Sequence, residues 1–254
     1  AEYRRKVNPK VNVFCVQTAG YTNVLVPDSG ISGVVIMTKD GMNRITQVDE
    51  TTIIAECGVM MTKLSVYAMD HGLTGLEFAQ GIPGSVGGAV YMNAGAYDGE
   101  TKNVAYKTTF LTMDGELKEF VGEEQGLTYR NSAFQKMDGM IVSTEFRFEK
   151  GDVEKIREKM QDYAYRRRTK QPLEYPSAGS TFKRPEGHFA GALIEQAGLK
   201  GFKIGDAGVS EKHAGFVVNY GNATAADVLA VIEAVKKRVY EHSGVMLEPE
   251  VRLL

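Results

Sequence analysis

Short apolar runs rich in β-branched residues occupy positions 11–16, 24–26, 33–37 and 52–57, and turn formers such as Asp28-Ser29-Gly30 and Lys39-Asp40-Gly41 separate them. Runs of this length between turn signals predict strands. Thr62 is placed to cap a helix reaching about Asp70, with Gly72 as its left-handed terminator. A second strand group is predicted at 104–113, 116–121 and 140–148, the first two joined across the tight Asp114-Gly115 turn. The first 150 residues therefore read as mixed α+β with hairpins.

From Asp152 to about Arg168 the period changes. Val153, Ile156, Met160 and Tyr163 or Ala164 recur at helical spacing, and Arg166, Arg167 and Arg168 gather in the last turn, where positive charge complements the helix dipole. Gln171-Pro172 and Tyr175-Pro176 stop this helix, because a residue before proline is disfavoured in the helical region. A domain boundary near 172 follows. Beyond it the pattern predicts a short helix over 189–197 closed by Gly198, a strand over 215–219, and a helix from Thr224 to His242. That last helix turns Val228, Ile232, Val235 and Val239 to a core, begins Thr-x-x-Asp and has Gly244 beyond its end. Residues 250–254 read as a strand returning to the first domain.

The length of 254 residues allows one large domain or two small ones, either able to bury a core. With 30 Lys+Arg against 32 Asp+Glu the formal charge is −2. That balance excludes the basic excess of a dedicated nucleic-acid binder or a polybasic membrane-surface protein. No apolar run approaches the roughly 18 residues of a membrane span, and the first residues lack an apolar signal core, so a soluble, cytoplasmic protein is expected. Cys15 and Cys57 lack Cys-x-x-Cys spacing and read as reduced core thiols. His71, His188, His213 and His242 never fall at His-x-x-x-His spacing, so no metal site is expected and each reads as a surface or cap residue.

Four segments carry candidate chemistry. From Gly81 to Gly99 six of the 28 glycines fall within 19 residues, and no Lys or Arg occurs between Lys63 and Lys102. If this block meets an anion such as a pyrophosphate, backbone N–H groups and the Ser85 hydroxyl must be the donors; a glycine-rich turn between strands has the same letters. It is neither a Rossmann fingerprint nor a Walker loop. Tyr129-Arg130-Asn131-Ser132 places a planar guanidinium where it can meet a carboxylate or simply face solvent. In 170–182 the small residues Ser177 to Ser180 put hydroxyls on a tight turn, and a serine there serves as a proton donor only beside a strongly basic carbon. No Gly-x-Ser-x-Gly elbow makes it a hydrolase nucleophile. Glu248-Pro249-Glu250 offers carboxylates from an edge strand or a solvated terminus.

Taken in order, these blocks resemble the UDP-N-acetylenolpyruvoylglucosamine reductase (MurB) family. The likeness runs from about Val24 to Leu254 and rests on residues 76–97, Tyr129-Arg-Asn-Ser132, 170–180 (Lys-Gln-Pro-Leu-Glu-Tyr-Pro-Ser-Ala-Gly-Ser), Gly187-His-Phe-Ala-Gly191, Lys212-His-Ala-Gly-Phe216 and Glu250-Val-Arg252. The Tyr-Pro-Ser-Ala-Gly-Ser wording is similar to the branch lacking an extra substrate-covering loop. The resemblance implies an α+β fold: an FAD-binding module of the PCMH or vanillyl-alcohol-oxidase-like kind over 1–171, to which 249–254 return, and a smaller α+β substrate-binding domain over 172–248. It implies FAD and NADPH as cofactors and a small sugar-nucleotide substrate, with neither nucleic acid nor membrane as partner.

Residue by residue, the resemblance implies Ser180 as general acid, Arg130 as the arginine that polarises the substrate carboxylate and Glu250 as the acidic residue working with it. Thr22, Asn23, Gly81, Ile82, Pro83, Gly84, Ser85, Gly87, Gly88 and Asn93 match cofactor-binding positions, and Tyr129, Lys170 and Arg184 match substrate contacts. Where the family carries Gly-Asn-Gly-Ser-Asn, this chain reads Ala19-Gly20-Tyr21-Thr22-Asn23, so the first flavin subdomain is expected to be shortened or altered. The implied activity is NADPH-dependent reduction of UDP-N-acetyl-3-O-(1-carboxyvinyl)glucosamine to UDP-N-acetylmuramate. The alternatives are an FAD-dependent oxidase or dehydrogenase of the same broad fold, and a flavin-free sugar-nucleotide-binding protein.

Overall fold

The computed structural model describes residues 23–254 and the backbone of Val13–Phe14. It divides into two compact units, one containing residues 32–165 and the other 23–31 with 166–254. The expected 11–16 strand lies outside the described residues except for Val13–Phe14, which pair in parallel with Val34–Val35. Thr22 and Cys15 also lie outside them.

The first unit holds β1 (Ile45–Gln47), β2 (Thr52–Glu56), α1 (Met61–Asp70), α2 (Val86–Tyr91), a hairpin of β3 (Gly95–Ala96) and β4 (Gly99–Glu100), β5 (Ala105–Thr112), β6 (Leu117–Val121), β7 (Gly139–Arg147) and most of α3 (Val153–Lys170). Its main sheet runs β6-β5-β7-β2-β1, every pair antiparallel. Ile53, Phe110, Ile141 and Phe146 are buried on these strands, and Met61, Leu64 and Ala68 of α1 fall on one helical stripe that joins the same core. Burial of each large side chain contributes about 1.5–3 kcal/mol. Cys57 lies in this core, and burial pushes its thiol above the ordinary range.

Two local expectations change. Thr62 does not cap α1: the N-cap is Met60, without a side-chain bond, and the Met61 N–H donates instead to Gly84 O at 2.6 Å. A tertiary carbonyl replaces the local cap. Helix α2 was not legible in the pattern, since two of its six residues are glycine, each costing roughly 1 kcal/mol of helix propensity against alanine.

The second unit holds α4 (Ala190–Gln196), β8 (Lys203–Ile204), β9 (Ala207–Val209), β10 (Val217–Asn219) and α5 (Ala225–Ser243), with β8-β9-β10 antiparallel. Helix α5 buries Val231, Ile232, Val235 and Val239, while Val228 is half-buried. Thr224 and Asp227 form the anticipated capping box, Asp227 N donating to Thr224 Oγ1 and Thr224 N to Asp227 Oδ2, both at 3.0 Å. Gly244 ends the helix at φ +72°.

The closing strand pairs with the start of the described stretch 23–254. Arg252–Leu253 run parallel to Val24–Leu25, and both segments group with 166–254 rather than with 32–165. The cause is local bonding: Arg252 N donates to Asn23 O at 3.0 Å, Leu254 N to Leu25 O at 3.1 Å, and the Asp28 carboxylate accepts from Ala225 N at 2.7 Å and Ala226 N at 3.1 Å. Asp28 thus caps α5 at its positive end from 197 residues away in sequence. Asp28→Ala is expected to lower stability by about 1–2 kcal/mol, the usual worth of such a cap, read as an earlier urea midpoint; an unchanged midpoint contradicts the capping role.

Candidate functional site

The glycine-rich block is two structures in sequence. Gly81 and Pro83 are exposed and Ile82 is half-buried, with Gly81 at φ +81°, while Gly84 to Val90 are all buried. Helix α2 starts at Ser85, whose Oγ accepts Gly88 N at 3.4 Å. Its first amides are also committed: Val86 N donates to Val59 O and Gly87 N to Cys57 O, each at 2.8 Å. The anion nest suggested by the glycines is therefore not what these amides form. Gly87 thereby holds the helix start against the Cys57 backbone, and the turn at Gly81-Ile82-Pro83 is the part left open.

Asn93 follows α2 at φ +41° and is fully buried. Its Nδ2 donates to Glu100 Oε2 at 2.7 Å and Thr128 O at 3.0 Å, and its Oδ1 accepts Lys102 N at 2.9 Å. This side chain is a clamp within the protein, tying the end of α2 to β4 and to the backbone at Thr128.

Arg130 occupies a tight turn closed by Thr128 N to Asn131 O and Asn131 N to Thr128 O, both 3.1 Å. It lies at φ +52°, its Nη2 donates to Gly95 O at 2.9 Å, and its guanidinium sits 5.0 Å from the ring centre of exposed Tyr129. Among the described residues the non-glycine positions with positive φ are Asn93, Tyr97, Asp98 and Arg130. All belong to one hydrogen-bonded knot: Tyr97 and Asp98 are the turn between β3 and β4, and Asn93 and Arg130 bond to its neighbours. Such conformations cost about 1–3 kcal/mol each and gather where a structure over-determines a functional geometry.

In the second unit, Ser180 follows Gly179, at φ +79°, on an exposed turn. The next residues are stitched on both sides: Thr181 N donates to Gly215 O and Glu250 N to Thr181 O, both at 2.8 Å, and Phe182 pairs antiparallel with Pro249. That register sets Glu250 opposite Thr181, one position from Ser180. Residues 70 apart in sequence are thereby neighbours across a ladder. Lys170 ends α3, exposed, and Arg184 lies exposed with its guanidinium 4.0 Å over the Phe189 ring. Asn23 is half-buried, its carbonyl taken by Arg252 N.

His213 departs from the expectation of a surface or cap residue. It is half-buried, its Nδ1 accepts Gly215 N at 3.1 Å, and burial pushes its ring below the ordinary imidazole range, with Lys200 and Lys170 adding to the effect and Glu195 opposing it. The ring is thus a neutral acceptor at neutral pH. Nothing in histidine spacing announces this, although the Lys212-His-Ala-Gly-Phe216 block contains it.

The profile of the FAD binding domain matches residues 11–120, and that of the UDP-N-acetylenolpyruvoylglucosamine reductase C-terminal domain matches residues 171–254. These two matches define the class, a flavin-binding domain followed by that reductase's C-terminal domain. Over 233 residues the chain is 53% identical to the UDP-N-acetylenolpyruvoylglucosamine reductase of Syntrophomonas wolfei, covering 92% of this chain and 78% of that one. The enzyme of the same name from Streptococcus pneumoniae is 49% identical over 92% of this chain and 77% of its own length. The crystal structure of UDP-N-acetylenolpyruvylglucosamine reductase (MurB) from Thermus caldophilus superposes with a TM-score of 0.80 at 31% identity, covering 99% of this chain and 88% of that one. The chain belongs to the UDP-N-acetylenolpyruvoylglucosamine reductase (MurB) family. No helix among the described residues is long and apolar enough to cross a membrane.

The residues present fit FAD in part. The exposed Gly81-Ile82-Pro83 turn, with a Cβ-free backbone at its start, lets a flat ring and its phosphates lie close to the chain. Asn93 instead holds Glu100, Thr128 and Lys102 together. Asn93→Ala is accordingly expected to cost about 2–4 kcal/mol in urea unfolding, from stranded polar partners and a left-handed alanine, with flavin content of the folded protein unchanged. Lost flavin at unaltered stability contradicts the clamp.

Proposed function

We propose that this chain is the FAD-dependent enzyme that uses NADPH to reduce UDP-N-acetyl-3-O-(1-carboxyvinyl)glucosamine to UDP-N-acetylmuramate in peptidoglycan precursor synthesis. The observation that carries the reading is the union, in one chain 53% identical to such a reductase, of a flavin-binding domain with the C-terminal domain matched from 171 to 254. Both ligands are multiply charged and remain where they are made, which supports a cytoplasmic location.

The bound flavin, once reduced by NADPH, supplies hydride to C3 of the enolpyruvyl group. Negative charge then develops on C2 and spreads into the adjoining carboxylate as an enolate. Arg130 carries the charge that stabilises it, and a guanidinium already fixed in place does so without reorganising. Glu250 works with Arg130 in polarising the carboxylate. Ser180 passes its hydroxyl proton to C2, which completes the saturated lactyl ether; a hydroxyl is a weak acid, yet suffices beside so basic a carbon. The exposure of Ser180 supports reprotonation of its oxygen from solvent. Lys170, Tyr129 and Arg184 contact the sugar nucleotide, Lys170 near its diphosphate. Thr22, Asn23 and the stretch from Gly81 to Ser85 hold the cofactor.

Incubation of purified protein with NADPH and the enolpyruvyl sugar nucleotide should yield a product heavier by two hydrogens in mass spectrometry, with initial-rate plots of parallel lines. Absence of that mass from flavin-loaded protein contradicts the proposal.

A further inference from the structure

The strained turn that carries Arg130 is held by a side chain outside it. Gln135 Nε2 donates to Arg130 O at 3.2 Å and to Tyr91 O, the last residue of α2, at 2.8 Å. One amide group thereby fastens the backbone of the arginine to the end of the glycine-rich helix. Ser132, fully buried, sends its Oγ–H to the same Tyr91 O at 2.7 Å. The segment therefore keeps its anchor on α2 if Gln135 is lost, but the Arg130 carbonyl loses that fixation.

The consequence lies in direction. A left-handed residue with a long side chain sits about 1–2 kcal/mol above its right-handed alternative. Release of its carbonyl leaves that peptide restrained by Asn131 N on Thr128 O at 3.1 Å, and a tilt about this bond draws the guanidinium from Gly95 O, to which it is now held at 2.9 Å. A displacement of about 1 Å in a group aimed at a reacting centre can slow a reaction about 10²-fold.

We propose that Gln135 is a positioning residue for Arg130, pinning the left-handed arginine turn to α2 so that its guanidinium points in one direction. The inference rests on the role proposed above for Arg130. Its test uses flavin-loaded Gln135→Leu, Gln135→Lys, Arg130→Ala and the Leu/Ala double variant in anaerobic stopped-flow, each half-reaction followed separately. Gln135→Leu should slow reoxidation by the enolpyruvyl substrate about 10–100-fold while bleaching by NADPH keeps its wild-type rate. Its Tm should fall by roughly 4–8 °C, as for two lost hydrogen bonds in a chain of this size.

Gln135→Lys, whose ammonium offers donors to the same two carbonyls, should restore the rate to within about threefold, a difference of under 1 kcal/mol. In the Arg130→Ala background Gln135→Leu should change nothing further. Should Gln135→Leu fail to fold, Gln135→Glu, which turns an acceptor toward the two carbonyls, carries the same expectation. A normal reoxidation rate in Gln135→Leu beside a slowed Arg130→Ala overturns this inference alone, as does equal loss in both half-reactions or an effect that multiplies with Arg130→Ala. An Arg130→Ala enzyme with normal reoxidation overturns the arginine role as well.

Discussion

Ser180→Ala is expected to slow reoxidation of the reduced flavin by the enolpyruvyl sugar nucleotide by about 10²–10⁴-fold, the range general acid catalysis contributes. Bleaching by NADPH should run at its wild-type rate, because that half-reaction asks no proton of this hydroxyl. The fold gives a clean experiment. Ser180 is exposed, and the ladder beside it is carried by Thr181, whose N–H and C=O bond to Gly215 and Glu250 at 2.8 Å. Removing one surface oxygen should leave stability within about 0.5 kcal/mol. Equal loss in the two half-reactions, or a lowered Tm that accounts for the lost activity, contradicts the acid role.

Arg130→Ala is the second large effect, about 10²–10³-fold in the same half-reaction, as for loss of one donor to a developing oxyanion. Arg130→Lys should recover little, because a point charge cannot reproduce the fork that meets a carboxylate with two parallel donors. Backbone strain must be separated from charge here, since the position lies at φ +52°. Arg130→Gly removes the strain along with the side chain. If charge is what matters, the glycine and alanine variants slow reoxidation alike; a glycine variant near the wild-type rate contradicts the electrostatic role.

The elements legible in the chain are those whose information is local. Helix α5 declared itself through Thr224, Asp227 and Gly244 at its ends and an apolar stripe between them, and the β5–β6 hairpin through Asp114-Gly115. Helix α2 did not, because its two glycines weaken the helical signal and its stability comes from burial against the carbonyls of Cys57 and Val59. Residues 23–31 joined the second unit through a ladder and a cap reaching more than 190 positions along the chain, and no window of sequence displays that. The candidate site divides the same way. Gly81 to Pro83, Asn93, Arg130, Ser180 and Glu250 stood out by resemblance, whereas the hydrogen bonds Asn93 makes inside the protein and the half-buried acceptor His213 did not. Gln135 passed unseen because a glutamine in a short turn carries no local signal, and its meaning lies in which two carbonyls it reaches.

The most direct measurement is an anaerobic, stepwise absorbance experiment on the flavin-loaded protein. Addition of NADPH should bleach the flavin band, and subsequent addition of UDP-N-acetyl-3-O-(1-carboxyvinyl)glucosamine should restore it with stoichiometric formation of UDP-N-acetylmuramate. Flavin that bleaches with NADPH but stays bleached when the enolpyruvyl sugar nucleotide is added would contradict the account.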